Sequence, residues 1–239
     1  MNRYFVTGTD TDAGKTFVSA ALLASARRQG RTTLGLKPVA AGCERDGGML
    51  RNIDALLLQA LSFPPVDYAT VNPVALEAAI APHLAAQRAG VQIRLDDLEC
   101  MLQRTLDARP GDTILIEGAG GWRVPLNAEE DLSGLAVRLQ LPVILVVGMR
   151  LGCISHARLT LQAIRAEGLH VAGWVANRID PVMREYEANL ETLRHCLDAP
   201  CLGVVPWLGE TPAESINLAK LQDKAEQAAT YLSGFQVSD

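Results

Sequence analysis

A lysine and a threonine near the N-terminus follow a loop that has a glycine at each end. The loop runs from Gly8 to Gly14, and Lys15-Thr16 opens an alanine-rich segment with helical spacing. Such a loop points backbone N–H groups at a phosphate, and the helix dipole adds positive charge. The lysine would reach the β- and γ-phosphates, and the threonine hydroxyl could coordinate magnesium. Although Thr9 stands where the first glycine of the usual motif is expected, the order strand, loop, Lys-Thr and helix favours a phosphate-binding loop over a simple helix cap.

Three further charged residues could complete a site for phosphoryl transfer. Glu117 ends an apolar strand before a run of glycines, so its carboxylate could hold magnesium, although a helix-capping or solvated glutamate is the alternative. Lys37 ends the second strand, where a fixed cation could neutralise developing charge, although a solvent-facing lysine is the simpler interpretation. Asp54 lies near a helix start and, taken alone, fits a helix cap better than a metal ligand.

An asparagine after a later strand could recognise the nucleotide base. Asn177 is placed to present its side-chain amide there, and Asn177 with Asp180 has the Asn-x-x-Asp spacing of guanine-binding proteins. The choice between ATP and GTP therefore stays open at this point. A turn asparagine before Pro181 is an equally good interpretation.

The elements that must position these residues alternate along the chain. Strands are expected at 3–7, 33–39, 113–117, 142–147, 171–176 and 202–205, and helices at 15–29, 94–108, 155–167, 183–197 and 213–233. Because strands and helices alternate and the strands are apolar at consecutive positions, we expect an α/β fold with a mostly parallel sheet and helices on both faces. An excursion with short helices interrupts the rhythm from Pro64 to about residue 93. At 239 residues the chain, 1–239, fits a single domain.

Composition restricts the partners. The chain is 49% hydrophobic and 21% charged with a net charge of −5, and it has no run of Lys or Arg, so nucleic acid and anionic membrane are not expected as partners. Five cysteines without a Cys-x-x-Cys pair are typical of reduced thiols. No secretion signal and no apolar run of ~20 residues is recognised, which favours the cytoplasm.

Taken together, the motifs resemble those of the dethiobiotin synthetase family. The resemblance is carried by residues 4–16, 37–39, 68–73, 81–83, 117–122, 141–148, 151–154, 172–177 and 206–208. The phosphate loop alone is common to many nucleotide enzymes, but its combination with the Lys37, Glu117 and Asn177 motifs is far more selective. The resemblance implies a P-loop NTPase-like fold and a homodimeric ligase of biotin biosynthesis. Such an enzyme uses ATP and CO2 (or bicarbonate) to carboxylate 7,8-diaminononanoate and to close its ring, through a carbamate and a carbamic–phosphoric anhydride.

The resemblance also implies roles for individual residues. Lys15 and Lys37 would act in catalysis, and Thr16, Asp54 and Glu117 would hold Mg2+. Nucleotide binding is implied for Asp12, Ala13, Gly14, Lys15, Thr16, Phe17, Asp54, Glu117, Gly118, Ala119, Gly120, Asn177, Arg178, Pro206, Trp207 and Leu208. Substrate binding is implied for Thr11, Lys37, Ala41, Pro82, Gly152, Cys153 and Ser155, of which the last three would meet the carboxylate tail of a substrate bound to the partner chain.

The sequence departs from the family pattern at three of these positions. Asp12 stands where glutamate is frequent, Ala41 where a substrate-contacting serine is expected, and Ser155 where asparagine is expected. The missing hydroxyl at Ala41 could remove a hydrogen bond worth about 0.5–1.5 kcal/mol.

Other classes of protein with this loop fit the sequence less well. Partition and septum-positioning ATPases usually carry an extra lysine early in the loop, and Thr9, Asp10 and Thr11 offer none. A related amidoligase would need an additional glutaminase domain. A non-catalytic nucleotide-binding regulator would not need Lys15, Thr16 and the other charged positions.

Overall fold

The computed structural model describes residues 2–108, 112–209 and 217–236. The strands are β1 (Asn2–Gly8), β2 (Thr33–Leu36), β3 (Val39–Ala41), β4 (Glu44–Asp46), β5 (Met49–Arg51), β6 (Val74–Leu76), β7 (Thr113–Glu117), β8 (Val143–Met149), β9 (Val171–Arg178) and β10 (Cys201–Val205). The helices are α1 (Lys15–Arg28), α2 (Ile53–Ala60), α3 (Tyr68–Val71), α4 (Pro82–Ala89), α5 (Leu95–Ala108), α6 (Gly134–Arg138), α7 (Cys153–Ala166), α8 (Tyr186–Cys196) and α9 (Leu218–Ala229).

Six strands form the central sheet, in the order β10-β9-β8-β1-β7-β2. Every neighbouring pair in this sheet is parallel. All residues of β7 and β8 are buried, so both faces of the sheet are covered at its centre. The predicted α/β class is therefore confirmed. Because β1 lies between β7 and β8, the loops that follow these three strands meet at one edge of the sheet.

The second strand is shorter than the sequence pattern predicted. We expected a strand over 33–39, but β2 ends at Leu36, and β3 joins β6 in a separate two-stranded sheet. Proline has no backbone N–H and cannot continue a hydrogen-bonded ladder, so the chain leaves the central sheet at Lys37-Pro38. The backbone N–H of Lys37 instead donates to the carbonyl of Val71 at 2.8 Å. Because of this break, the Lys37 side chain does not follow the alternation of a strand, and its ammonium group faces Glu117.

The helical predictions are confirmed, with small differences at the ends. Helices α1, α5, α7 and α8 occupy the four predicted segments, and α3 and α4 lie in the predicted excursion. The last helix, predicted over 213–233, begins at Leu218, and residues 210–216 lie outside the described residues. It packs against α1. Helix α2 was anticipated only as a helix start near Asp54, and α6 and the β4–β5 hairpin were not predicted.

In the part of the chain that the structure describes, no helix combines the length and apolarity that a membrane crossing requires. All five cysteines are free thiols, of which Cys43 and Cys153 are buried, Cys196 and Cys201 are partly buried and Cys100 is exposed.

Candidate active site

The phosphate loop connects β1 to α1 and is held in a conformation that requires glycine at its end. Gly14, the N-cap of α1, has φ +85°, which is the left-handed region. A Cβ atom added there would lie 2.1 Å from Nδ2 of Asn177. The same Nδ2 atom donates to the carbonyl of Ala13 at 3.0 Å, so the end of β9 supports the loop from beneath. Asp12 also has a positive φ, which aspartate tolerates better than most residues.

Lys15 and Thr16 begin α1 at the bottom of the loop. Lys15 is buried, and its ammonium group donates to the carbonyl of Asp10 at 3.3 Å. Burial lowers the pKa of Lys15, and the negative charge of Glu117 offsets this only in part. The Thr16 hydroxyl donates to Oε1 of Glu117 at 2.7 Å. Because the buried Lys15 ammonium donates to the carbonyl of Asp10 at the long distance of 3.3 Å, it can also bind an anion in the loop.

A buried ion pair joins β7 to the break after β2. The Lys37 ammonium lies 2.6 Å from Oε1 of Glu117 and 3.7 Å from Oδ2 of Asp54. Lys37 and Glu117 are both buried, so their charges are held in place at low dielectric. Burial pulls the pKa of Lys37 down, but the carboxylates of Glu117 and Asp54 outweigh it and leave this pKa above its ordinary value. The solvent-facing interpretation of Lys37 and the capping or solvated interpretation of Glu117 are therefore both wrong.

Asp54 reaches the site because a neighbouring asparagine starts its helix. The side chain of Asn52, not that of Asp54, caps α2 by accepting from the backbone N–H groups of Asp54 and Ala55. The hydroxyl of Tyr68 in turn accepts from the backbone N–H of Asn52 at 2.8 Å. This corrects the interpretation of Asp54 as a cap, and it leaves the partly exposed Asp54 carboxylate directed at Lys37. An asparagine two residues before an aspartate was a signal for this cap in the sequence.

The donor atoms around Glu117 fit a magnesium ion. Oε2 of Glu117 is buried without a hydrogen-bond partner, and Thr16 and Asp54 line the same cleft as Glu117. Within the described ranges, no three His, Cys, Asp or Glu side chains form a metal-binding cluster by themselves. Magnesium prefers oxygen ligands and usually takes one or two carboxylates together with phosphate oxygens and water. This donor set therefore suits an ion that arrives with a nucleotide.

These residues open into a cleft of about 810 Å³. Of the residues named from the sequence, it is lined by Thr11, Asp12, Gly14, Lys15, Thr16, Phe17, Lys37, Ala41, Asp54, Pro82, Glu117, Ala119 and Gly120. One wall is apolar and includes Val39, Ile80 and Val124, of which only Val39 lies in a motif named from the sequence. Ile80 and Val124 lack a distinctive local pattern, because they reach the cleft from separate segments, Ile80 in the excursion and Val124 after β7.

The remaining residues named from the sequence lie elsewhere. Ala13 and Gly118 are buried beneath the cleft, and Asn177 lies below the phosphate loop rather than in a turn. The Arg178 guanidinium stacks over the ring of Tyr186 at 4.4 Å. Pro206, Trp207 and Leu208 follow the carboxyl end of β10, the edge strand next to β9.

A second pocket of about 500 Å³ lies at the start of α7. Gly152 and Ser155 line it, and Cys153 is buried beside them. Gly152, Cys153 and Ser155, which are predicted to meet the tail of a substrate bound to the partner chain, therefore lie together at this second pocket. They are absent from the lining of the first cleft.

A loop that ends in Lys15-Thr16 and follows the central strand of a parallel sheet defines a P-loop nucleotide-binding protein. A family model described as "AAA domain" matches residues 2–215. The protein named "ATP-dependent dethiobiotin synthetase BioD" from Chromohalobacter salexigens is 58% identical, with 98% of each chain covered. A protein of the same name from Pseudomonas aeruginosa is 54% identical over 89% of this chain and 93% of its own length. The chain belongs to the dethiobiotin synthetase family.

Solved structures with the same fold are more distant in sequence. The MinC:MinD cell division protein complex of Aquifex aeolicus matches with a TM-score of 0.59 and 16% identity, covering 96% of this chain and 93% of that chain. The septum site-determining protein MinD complexed with Mg-ADP from Pyrococcus horikoshii matches with a TM-score of 0.52 and 19% identity, covering 97% of this chain and 94% of that chain. At such low identity the likeness concerns the fold alone.

Proposed function

We propose that this chain is an ATP-dependent ligase that carboxylates 7,8-diaminononanoate with CO2 and closes the ring to give dethiobiotin, a step of biotin biosynthesis. The names of its relatives support this reaction. The observation that carries it is the convergence of Lys37 and Thr16 on a single oxygen of Glu117, at the end of the phosphate loop. A protein that only binds a nucleotide has no need for a second buried lysine at this place.

The reaction has three steps that balance without a further reactant. One substrate amine attacks the carbon of CO2 and loses a proton, which gives a carbamate. A carbamate oxygen then attacks the γ-phosphorus of ATP, and ADP leaves. The second amine attacks the carbamate carbon and loses a proton, phosphate leaves, and the cyclic urea is formed.

The two lysines supply charge where the reaction develops it. Lys15, at the bottom of the loop, neutralises the β- and γ-phosphates, and Lys37 stabilises the carbamate and the transferring phosphoryl group. Because Glu117 and Asp54 hold the Lys37 ammonium in place, its charge acts without reorganisation during the reaction. The apolar wall of the cleft excludes water and accommodates the methylene chain of the substrate.

We propose that Thr16, Asp54 and Glu117 hold Mg2+ together with the nucleotide phosphates. The unpartnered Oε2 atom of Glu117 supports this assignment. When bound, the ion neutralises phosphate charge. For the base, we propose the residues predicted from the sequence, Asn177 and the segment 206–208, which lie at the ends of β9 and β10.

Ala41 is expected to limit affinity for the substrate. Its side chain lines the cleft, on the short strand that follows Lys37. In Ala41→Ser, a hydroxyl at this position would provide a hydrogen bond worth about 0.5–1.5 kcal/mol, so we expect KM for the diamine to fall by about twofold to tenfold. KM for ATP should stay the same, which is the internal control. An unchanged or higher KM for the diamine would contradict substrate contact at position 41.

We further propose that the chain forms a homodimer through the start of α7. Leu151 is 90% exposed and Leu159 is 62% exposed, and both line the second pocket. Exposed apolar side chains that lie together in one patch are a mark of a protein–protein contact. Light scattering should give the mass of two chains for the wild type and a smaller average mass for Leu159→Asp. A wild-type mass of one chain under assay conditions would contradict the dimer.

The free cysteines support our inference that the protein works in the reducing cytoplasm.

The proposed reaction is tested by measuring phosphate release from magnesium–ATP, with and without 7,8-diaminononanoate and bicarbonate, while the organic product is followed by mass. We expect release only when both substrates are present, formation of dethiobiotin, loss of release with EDTA, and weaker release with GTP. Release that ignores the diamine would refute the ligase and favour a nucleotide-driven switch.

A further inference from the structure

The first half of the phosphate loop is bonded to the end of β8 at three points. The backbone N–H of Thr9 donates to the carbonyl of Val146 at 2.9 Å, and that of Gly148 donates to the Thr9 hydroxyl at 3.3 Å. The third point is an ion pair, in which Nη2 of Arg150 donates to Oδ2 of Asp10. The first two contacts fix Thr9, so the ion pair is what extends this attachment to the next residue of the loop.

Asp10 controls the shape of the loop through both its side chain and its backbone. Its Oδ1 atom accepts from the backbone N–H of Thr11 at 2.8 Å, and its carbonyl accepts from the Lys15 ammonium at 3.3 Å. The Asp10 peptide therefore has one orientation that serves Lys15, and Arg150 holds the side chain that sets this orientation.

A carboxylate is an unusual side chain in a loop that must attract a triphosphate. Asp10 and Asp12 both bring negative charge to it. Of these, the Asp10 carboxylate is neutralised by the guanidinium of Arg150, the residue that follows β8. Arg150 thus both positions Asp10 and removes a repulsion between the loop and its ligand.

We propose that Asp10 and Arg150 are a positioning pair that holds the phosphate loop in the shape that accepts the nucleotide. Arg150 also begins the turn to α7, because its carbonyl accepts from the backbone N–H of Cys153 at 3.0 Å. The pair therefore joins the loop to the segment predicted to bind the substrate tail. This inference rests on the proposed function only in that the loop binds ATP.

Loss of the pair should affect binding rather than the chemical step. Without it the loop samples other shapes, and the apparent dissociation constant rises in inverse proportion to the fraction of molecules that remain competent. Bound nucleotide restores the shape, so the rate at saturation changes little. The two side chains are 42% and 45% exposed, so the effect should be that of a surface pair, about twofold to fivefold.

The test measures the Kd of magnesium–ATP by calorimetry and KM and kcat by phosphate release, for Arg150→Gln, Arg150→Lys, Asp10→Asn and the double variant Asp10→Asn/Arg150→Gln. We expect Arg150→Gln to raise Kd and KM for ATP by about twofold to fivefold with kcat nearly unchanged, and Arg150→Lys to recover most of this loss. The double variant should resemble a single one, because the two residues act as a pair. The difference from the wild type should shrink at 1 M salt. The matched control is Arg165→Gln on α7, which removes an exposed pair with Asp198 and should leave Kd unchanged.

Unchanged Kd and KM in Arg150→Gln, or additive effects in the double variant, would overturn the proposal. So would an equal loss in the Arg150→Lys and Arg150→Gln variants. These outcomes are distinct from failure of the proposed function, in which the wild type itself would bind ATP but make no dethiobiotin, or would not bind ATP.

Discussion

Replacing Lys37 with methionine is expected to abolish dethiobiotin formation and also to destabilise the protein by about 3–5 kcal/mol. Catalysis is lost because the fixed cation that stabilises the carbamate and the transferring phosphoryl group is gone. Stability is lost because Glu117 is buried and its Oε1 atom keeps only the Thr16 hydroxyl as a partner. Phosphate release and denaturant unfolding measure the two effects separately.

The double variant Lys37→Met/Glu117→Gln separates the two causes. It removes the unpaired buried charge, so it should be more stable than Lys37→Met, yet it should remain inactive. Recovery of stability would show that the unpaired Glu117 charge caused the loss of stability in Lys37→Met. Turnover of the double variant does not isolate Lys37, because Glu117 is itself a proposed Mg2+ ligand, so the catalytic role of Lys37 is tested in Lys37→Met. Normal turnover in folded Lys37→Met would remove this lysine from the mechanism.

The parts of the site that depend on neighbouring residues were predicted well from the sequence. The loop before Lys15-Thr16 and the position of Glu117 at the end of an apolar strand are both local patterns. They are set by backbone chemistry, and the structure has them where they were expected.

The parts that depend on distant residues were not predictable. The pairing of Lys37 with Glu117 joins residues 80 positions apart, and that of Arg150 with Asp10 joins residues 140 positions apart. Neither lysine nor arginine carries a local signal of its partner, because a long side chain can reach either solvent or a distant carboxylate. The excursion after β2 was predicted as a break in the rhythm, and within it Pro82 was predicted to bind substrate, but Ile80 gave no sign that it would line the cleft.

Replacing Gly14 with alanine is expected to raise the Kd of magnesium–ATP by at least about tenfold, because two costs of roughly 1 kcal/mol each act together. The left-handed backbone at φ +85° is unfavourable for any residue with a Cβ atom. The new Cβ would also lie 2.1 Å from Nδ2 of Asn177, so that amide must move and give up its bond to Ala13. The loop therefore loses both its own geometry and its support from β9. Calorimetric titration with magnesium–ATP measures the change.

Gly30→Ala is the control that shows what backbone strain alone does when it lies outside the phosphate loop. Gly30 also has a positive φ, +75°, but an added Cβ would meet no atom within 4 Å, and it lies in the turn after α1, outside the lining of the cleft. Gly30→Ala should thus lose about 1–2 kcal/mol of stability from strain alone, with ATP affinity unchanged. If Gly14→Ala bound ATP as tightly as Gly30→Ala, the contact between Gly14 and Asn177 would have no part in shaping the phosphate loop. Weak binding only in Gly14→Ala would instead assign Asn177 a structural role beneath the loop, whether or not it also contacts the base.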